Sequence, residues 1–263
     1  MEVRTFPNSY RPGVGQPPRS ESSRPMLPQH ARHCPVLEAG SALGFMVFPS
    51  LEPHESYHVE YKGEGVFLFS YFQASAPGKW KPIFSITVML PVGGVGILRE
   101  EMTFMAKGLS LSAEDAKNLM RAFIVPEDLG TPAGAVTLKG ATNFKTPEGW
   151  DTVYTPVFNV IERPLAAALI VRVETDWYPH ETEFRYVLQP GEGIPGGHTM
   201  PIGQVFFVPR EEVTMRPCDS DELALILEAR TNFFKEKAAH SISTPYGLQF
   251  SPHYLQQSRL RKT

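Results

Sequence analysis

The chain has 263 residues, of which 42% are hydrophobic and 20% charged, and a net charge of −3. That balance exerts no global pull toward nucleic acid or an anionic membrane surface, and a domain of this length buries roughly 70–75% of the surface its unfolded chain exposes, so it needs no disulfide staples. Cys34 and Cys218 form no paired metal motif, no apolar run reaches the ~18–20 residues of a membrane span, and no basic segment with an apolar core opens the chain as a secretory leader would; the cytoplasm is the expected location.

Residues 1–33 read as a Pro/Arg-rich tail. Seven of the 25 prolines fall in the first 35 positions, and the segment holds five arginines against two glutamates. Such a stretch buries too little to offset a backbone entropy cost of ~1–2 kcal/mol per residue. Two readings follow: a flexible tail, or a strap around the domain or a partner subunit, anchored by Phe6, Tyr10 and Met26.

Folding is expected to begin near Cys34. Val36–Phe48 starts as a short helical turn and ends as a strand, GFMVF, stopped by Pro49. Val66–Phe72 (VFLFSYF) is apolar enough for a strand buried on both faces. Ile83–Leu90 alternates as a half-buried strand does. Ser112–Ile124 is a helix with Asp115 completing a capping box, and Pro126 follows its end. Glycine and proline then recur between short strands at Ala135–Leu138, Thr152–Asn159, Ala167–Glu174, Phe184–Leu188 and Ile202–Val208. This pattern predicts a mainly β fold, an antiparallel β-sandwich or jelly roll over residues 34–217, with two peripheral helices. The second helix spans Asp221–His240 with Leu223, Ile226, Leu227, Arg230, Phe233 and Phe234 on a 3.6-residue period. Residues 218–263 are expected to pack this helix and a basic end on the domain.

The chemistry is concentrated between Glu174 and Pro209. Glu174, Asp176, His180, Glu181 and Glu183 lie within ten residues. On a strand Glu174 and Asp176 face one side, and the Trp177-Tyr178-Pro179 break then returns His180 toward them. Two carboxylates and an imidazole suit general acid–base work or a His/carboxylate metal set; solvated acids pairing with Arg172 and Arg185 are the structural alternative. Trp150, Asn159, Trp177, Tyr178 and His198 are the candidate ligand contacts. His198 follows a Pro-Gly-Gly turn reminiscent of a second cupin metal motif, without the upstream H-x-H. The sequence names no metal or cofactor. Gly93–Gly96 (GGVG) lacks the spacing of a phosphate loop, and His30, His33 and Cys34 fall short of a four-ligand zinc site.

Thr146, Gly149, Trp150, Asn159, Pro164 and the run Val173-Glu174-Thr175-Asp176-Trp177 resemble the motifs of a bacterial family of unknown function marked by V-E-T-D-W. The likeness covers about a third of the chain, and Glu183-Phe184-Arg185-Tyr186 departs from the strand that follows in that family. It implies positions rather than an activity. VLQPGEGIPGGHTMPIGQVFFVP also resembles the β-clip turn of dUTPase and dCTP deaminase proteins, whose nucleotide-site motifs are missing here; it implies β topology.

The reading that results is a small-organic-ligand-binding protein, either without turnover or a non-redox or metal-assisted enzyme of specialised metabolism. In it Glu174 or Asp176 is the base, His180 the proton shuttle, and Trp150 and Trp177 stack on the substrate. The alternatives are an interaction or assembly protein, including a homo-oligomer, using the Pro/Arg tail and terminal helix, and a cupin-like metal-dependent oxygenase.

Overall fold

The computed structural model of the chain describes residues 1–22, 34–76, 78–91, 99–106, 111–160, 166–243 and 249–261. The GGVG segment, His30, His33, Met26 and Pro164 lie outside the described residues. The chain divides into two units, Met1–Arg210 and Glu211–Thr263.

The first unit is mainly β and antiparallel throughout, in the β-sandwich class expected. Its largest sheet has the order β13-β3-β4-β5-β6 and is built from Glu55–Gly63 (β3), Val66–Ala76 (β4), Lys79–Met89 (β5), Arg99–Phe104 (β6) and Gly193–Gly197 (β13). A four-stranded sheet runs Val171–Val173 (β11), Trp150–Thr155 (β9), Gly203–Pro209 (β14), Phe45–Val47 (β2). A three-stranded sheet runs Ala167–Ala168 (β10), Glu183–Val187 (β12), Ala135–Lys139 (β7). The expected strand Ala167–Glu174 is therefore two short strands in two sheets. The strand expected at Thr152–Asn159 starts two residues earlier and stops at Thr155, before Pro156, which has no N–H to give a ladder.

One contiguous core joins these sheets to a helix. Residues of β3 alternate between buried and half-exposed, turning Tyr57, Val59 and Tyr61 inward. In β4 the inward side is Phe67, Phe69 and Tyr71, whereas Leu68 and Phe72 are half-exposed, so this strand is buried chiefly on one face. Helix α1 (Pro35–Ser41) precedes β2, and helix α2 (Ala113–Arg121) opens with the expected capping box between Ser112 and Asp115. Its far end delivers Phe123, fully buried, into an aromatic stack with Tyr57 at 5.1 Å, Phe69 at 6.2 Å and Tyr71 at 6.3 Å. Helix α2 thus buries Ala116 and Met120 and is part of the core rather than peripheral.

Two segments, one read as a turn and one as a tail or strap, form paired strands. The Pro-Gly-Gly run is a strand, β13, at the sheet edge. Pro195 is tolerated there because an edge strand need not donate on both sides, and Gly196 is required because a Cβ would stand 2.1 Å from the Tyr57 ring. Residues 1–22 form the strap. Arg4–Pro7 (β1) pairs with Thr142–Lys145 (β8), and the Asn8 amide donates to the Gly140 carbonyl at 3.0 Å. Asn143 donates to Pro7 O at 3.0 Å and accepts from the Thr182 amide at 2.7 Å. Arg11 closes the strap on the buried Glu55 at 2.6 and 3.1 Å, and Arg19 bridges Met46.

The second unit contains helix α3 (Ser220–Ala239), a small hairpin of β15 (Ile242–Ser243) and β16 (Gln249–Phe250), and helix α4 (His253–Leu260). Asp219 caps α3 by accepting from the amides of Asp221 and Glu222 at 3.0 and 2.9 Å, and Glu222 reciprocates at 3.1 Å. None of the residues of α3 is buried. Among the described residues, no helix is long and apolar enough to cross a membrane.

Candidate functional site

After β11 the chain does not continue extended. Glu174 O accepts the amide of Tyr178 at 3.0 Å, and residues 174–178 form a turn. Strand alternation therefore does not put Glu174 and Asp176 on one side. Arg210 does, from the end of β14, where its own amide donates to Gly149 O at 2.8 Å. Its guanidinium donates to Asp176 at 2.6 Å and to Asp151 at 2.7 and 2.9 Å, and lies 3.7 Å from Glu174. Arg172 on β11 donates to the other oxygen of Asp151 at 2.6 Å. The Gly149 amide, in a turn with φ +76°, completes Asp176 at 2.9 Å.

Hydrogen bonding from Arg210, aided by the Gly149 amide, holds the Asp176 carboxyl below its ordinary range. Burial pushes Asp151 up, but the two arginines overcome it and keep it low as well. Both are fixed carboxylates, and the hydrogen bonds they accept from Arg210 raise its guanidinium further, aided by their charge. Beneath the turn, buried Thr175 shares hydroxyl hydrogen bonds with Thr146 at 2.9 Å and Thr152 at 2.6 Å. Two arginines on three carboxylates make a structural knot in which Asp151 and Asp176 are held tightly and Glu174 stands at the exposed edge.

His180 belongs to a second arrangement. Its ring stacks on Tyr178 at 5.4 Å, meets the edge of Tyr154 at 6.1 Å, and its Nε2 lies 3.7 Å from Glu183. Burial lowers the His180 imidazole, against the raising fields of Glu181 and Asp128. Glu183, at the start of β12, is pushed up to about 7, foremost by burial and further by Asp128 and Glu181, against Lys139 and Arg185. Lys139 is committed to Glu181 at 2.7 Å and lies under the Tyr10 ring at 4.8 Å. Arg185 is committed to Asp128, which also accepts from Thr137 at 3.1 Å. The acids expected to pair with Arg172 and Arg185 are thus replaced by Asp151 and Asp128.

The remaining candidates fall in different places. Trp177 is 66% and Tyr178 48% exposed, with ring centroids 5.8 Å apart, and the Trp177 indole donates to Glu174 at 2.5 Å. Trp150 is half-buried on β9, opposite Pro209. Asn159 fastens α1, donating to Leu37 O at 3.2 Å and Ser41 Oγ at 2.9 Å. The His198 Nδ1 sits 2.6 Å from Leu51 O. The candidate residues Glu174, Asp176, His180, Trp177 and Asn159 thus fall among an arginine knot, an aromatic and imidazole lip, and a helix fastener. Cys34 is half-buried and free at the start of α1. Among the described residues, no three His, Cys, Asp or Glu side chains converge as metal ligands would. The residue that sequence reasoning missed is Arg210; a lone arginine after an apolar strand carries no motif, and only its backbone register with Gly149 reveals its role.

No protein-family model, curated protein or solved structure matches the chain.

The opposed shifts of Glu183 and His180 predict a pH signature. A carboxyl whose folded value is raised from 4.5 to about 7 binds more protons in the folded state, so its contribution to stability is full below 4.5 and is lost as pH rises toward 7. His180, lowered from 6.5, has the opposite slope just below that value. Glu183→Gln is expected to abolish the loss between pH 4.5 and 7 and to leave the His180 rise. Urea midpoints at pH 5, 6 and 7.5 measure this; an unchanged profile in the variant would show that Glu183 titrates normally.

Proposed function

We propose that the chain binds a small, planar organic ligand on the lip formed by Trp177, Tyr178 and His180, with Glu183 as the titratable group at its base. The observation that carries this reading is the continuity of the lip. Trp177, Tyr178 and His180 present successive rings, two of them well exposed, and the last adjoins a carboxyl pushed up to about 7. Exposed rings supply stacking area at low entropic cost, and strongly shifted groups concentrate at functional sites. If the site turns substrate over, the proton-transfer pair is His180 and Glu183, since a base is most effective when it titrates near the working pH. Glu174 and Asp176 then act as positioning residues, through Trp177 and the Arg210 knot.

The test is an amide NMR screen with planar organic fragments, cationic and neutral. Hits are expected to perturb residues 177–183 and to lose at least about tenfold in affinity in Trp177→Ala, in line with removal of one stacking partner. Hits confined to other surfaces would sink the reading.

A second reading, assembly through the C-terminal helical unit, is favoured by the apolar surface of α3. Leu223, Leu227 and Phe234 are exposed on one side of the helix, an apolar surface of the kind that marks protein contact sites.

A further inference from the structure

Helix α3 carries two apolar faces, and one already has a neighbour. Phe233 turns toward α4, with its ring 5.0 Å from that of the buried His253. The other face carries Leu223, Leu227 and Phe234, which form one stripe at 3.6 residues per turn. Their exposures are 48%, 47% and 51%. Around them runs an open groove lined by Leu227, Arg230, Thr231, Phe234, Lys235 and Ala238.

The charges along the helix indicate what covers that stripe. In its first half Asp219 is spent on the cap and Glu222 on Arg216, which leaves Asp221 and Glu228 as acids with no ion pair among the described residues; Arg230, Lys235 and Lys237 occupy its second half, offset there by Glu236. A parallel copy would set acids beside acids and align the two macrodipoles. An antiparallel copy opposes the dipoles and lays each acidic half along a basic half. Glu228 and Lys235 lie on the same flank of the stripe, two turns apart. In an antiparallel pair equivalent flanks meet, so Glu228 of each copy runs beside Lys235 of the other. Such a contact is self-complementary and closes with two-fold symmetry.

We propose that the chain forms an antiparallel homodimer through the Leu223–Leu227–Phe234 stripe of α3. The inference rests on the assembly reading and names its partner as a second copy; it is independent of the ligand lip. Light scattering on the full chain is expected to give twice the chain mass of 29.3 kDa. Leu227→Glu is expected to raise the dissociation constant at least about 30-fold, as loss of a central interface anchor does. Glu228→Lys weakens the dimer, and Glu228→Lys with Lys235→Glu restores it, a pattern that misfolding of Leu227→Glu cannot produce. In a Cys34→Ser, Ala238→Cys background, a short bismaleimide joins Cys218 of one copy to the introduced thiol of the other. A monomer at all concentrations, or a dimer indifferent to both Leu227→Glu and the charge swap, overturns the homodimer. Oxidative footprinting then separates the two readings: a monomer with the stripe open to labelling leaves assembly with another protein standing, and a monomer with the stripe shielded overturns assembly as well.

Discussion

Replacing Arg11 by methionine is expected to destabilise the first unit by about 3 kcal/mol, although Arg11 lies in a stretch whose composition reads as a tail. Glu55 is buried, and its carboxylate accepts from Arg11, from the Glu52 amide at 2.7 Å and from the Tyr71 hydroxyl. Arg11 also donates to Ser50 O at 2.7 Å. Removing one member of a buried pair leaves the other as an uncompensated charge, which costs about 3–5 kcal/mol; the lower figure applies because the Arg11 side chain keeps some exposure. The pH dependence has a definite sign. Burial pushes Glu55 up, but its hydrogen bonds outweigh burial and set it below the ordinary 4.5. Its contribution is therefore present above 4.5 and disappears as pH falls through the folded value. Arg11→Met should flatten that acid limb. Urea titrations at pH 7 and at pH 3.5 supply the comparison, and a loss below about 1 kcal/mol at pH 7 would mean that the strap pairing is no stronger than an exposed ion pair.

Phe123→Ala is the largest single-residue loss expected, about 4 kcal/mol, within the range for deleting a buried phenylalanine. Its ring is the centre of the stack with Tyr57, Phe69 and Tyr71, and the Arg11 guanidinium lies 5.7 Å from its centroid. A collapse that filled the void would have to move residues of two strands held in register by β3–β4 pairing, so relaxation is limited. Because Arg11 and Phe123 touch, the double variant should cost less than the sum of the two. Phe123→Leu, which preserves most of the volume, should recover more than half of the loss; equal losses for Ala and Leu would show that ring stacking, not volume, holds the site. Guanidinium unfolding of the three variants decides between these.

The mainly β class was legible because its signals are local. The strand at Ile83–Leu90, the Ser112–Asp115 capping box and the apolar run of Ile202–Val208 reappear in β5, α2 and β14, although Ile83–Ile86 are buried on both faces instead of alternating with solvent. The α3 helix is displaced from its expected span by one residue at either end. What was illegible depends on partners distant in sequence. Gly193–Gly197 has the composition of a turn and becomes a strand because β3 presents Tyr57 to a glycine. Residues 4–7 become a strand because β8 offers an edge.

The site was legible in its residue types and not in its grouping. The density of acids after Val173 singles out Glu174 and Asp176, and both meet Arg210 from beyond the end of another strand. Glu183 looked like one more acid in a charged stretch. Its distinction is a half-buried place beside His180, with Lys139 and Arg185 already committed to Glu181 and Asp128. No sequence spacing encodes which cation is spent elsewhere.

The N-terminal strand also fixes an order of events during synthesis. Pro7 and Asn143 are joined across 136 positions, so residues 4–7 leave the ribosome well before their acceptor edge. At about 5–20 residues per second, β1 waits roughly seven seconds or longer without its partner strand. Pairings this distant in sequence slow folding. The prolines and arginines of the segment suit that interval, since both discourage an unpaired strand from joining a foreign edge.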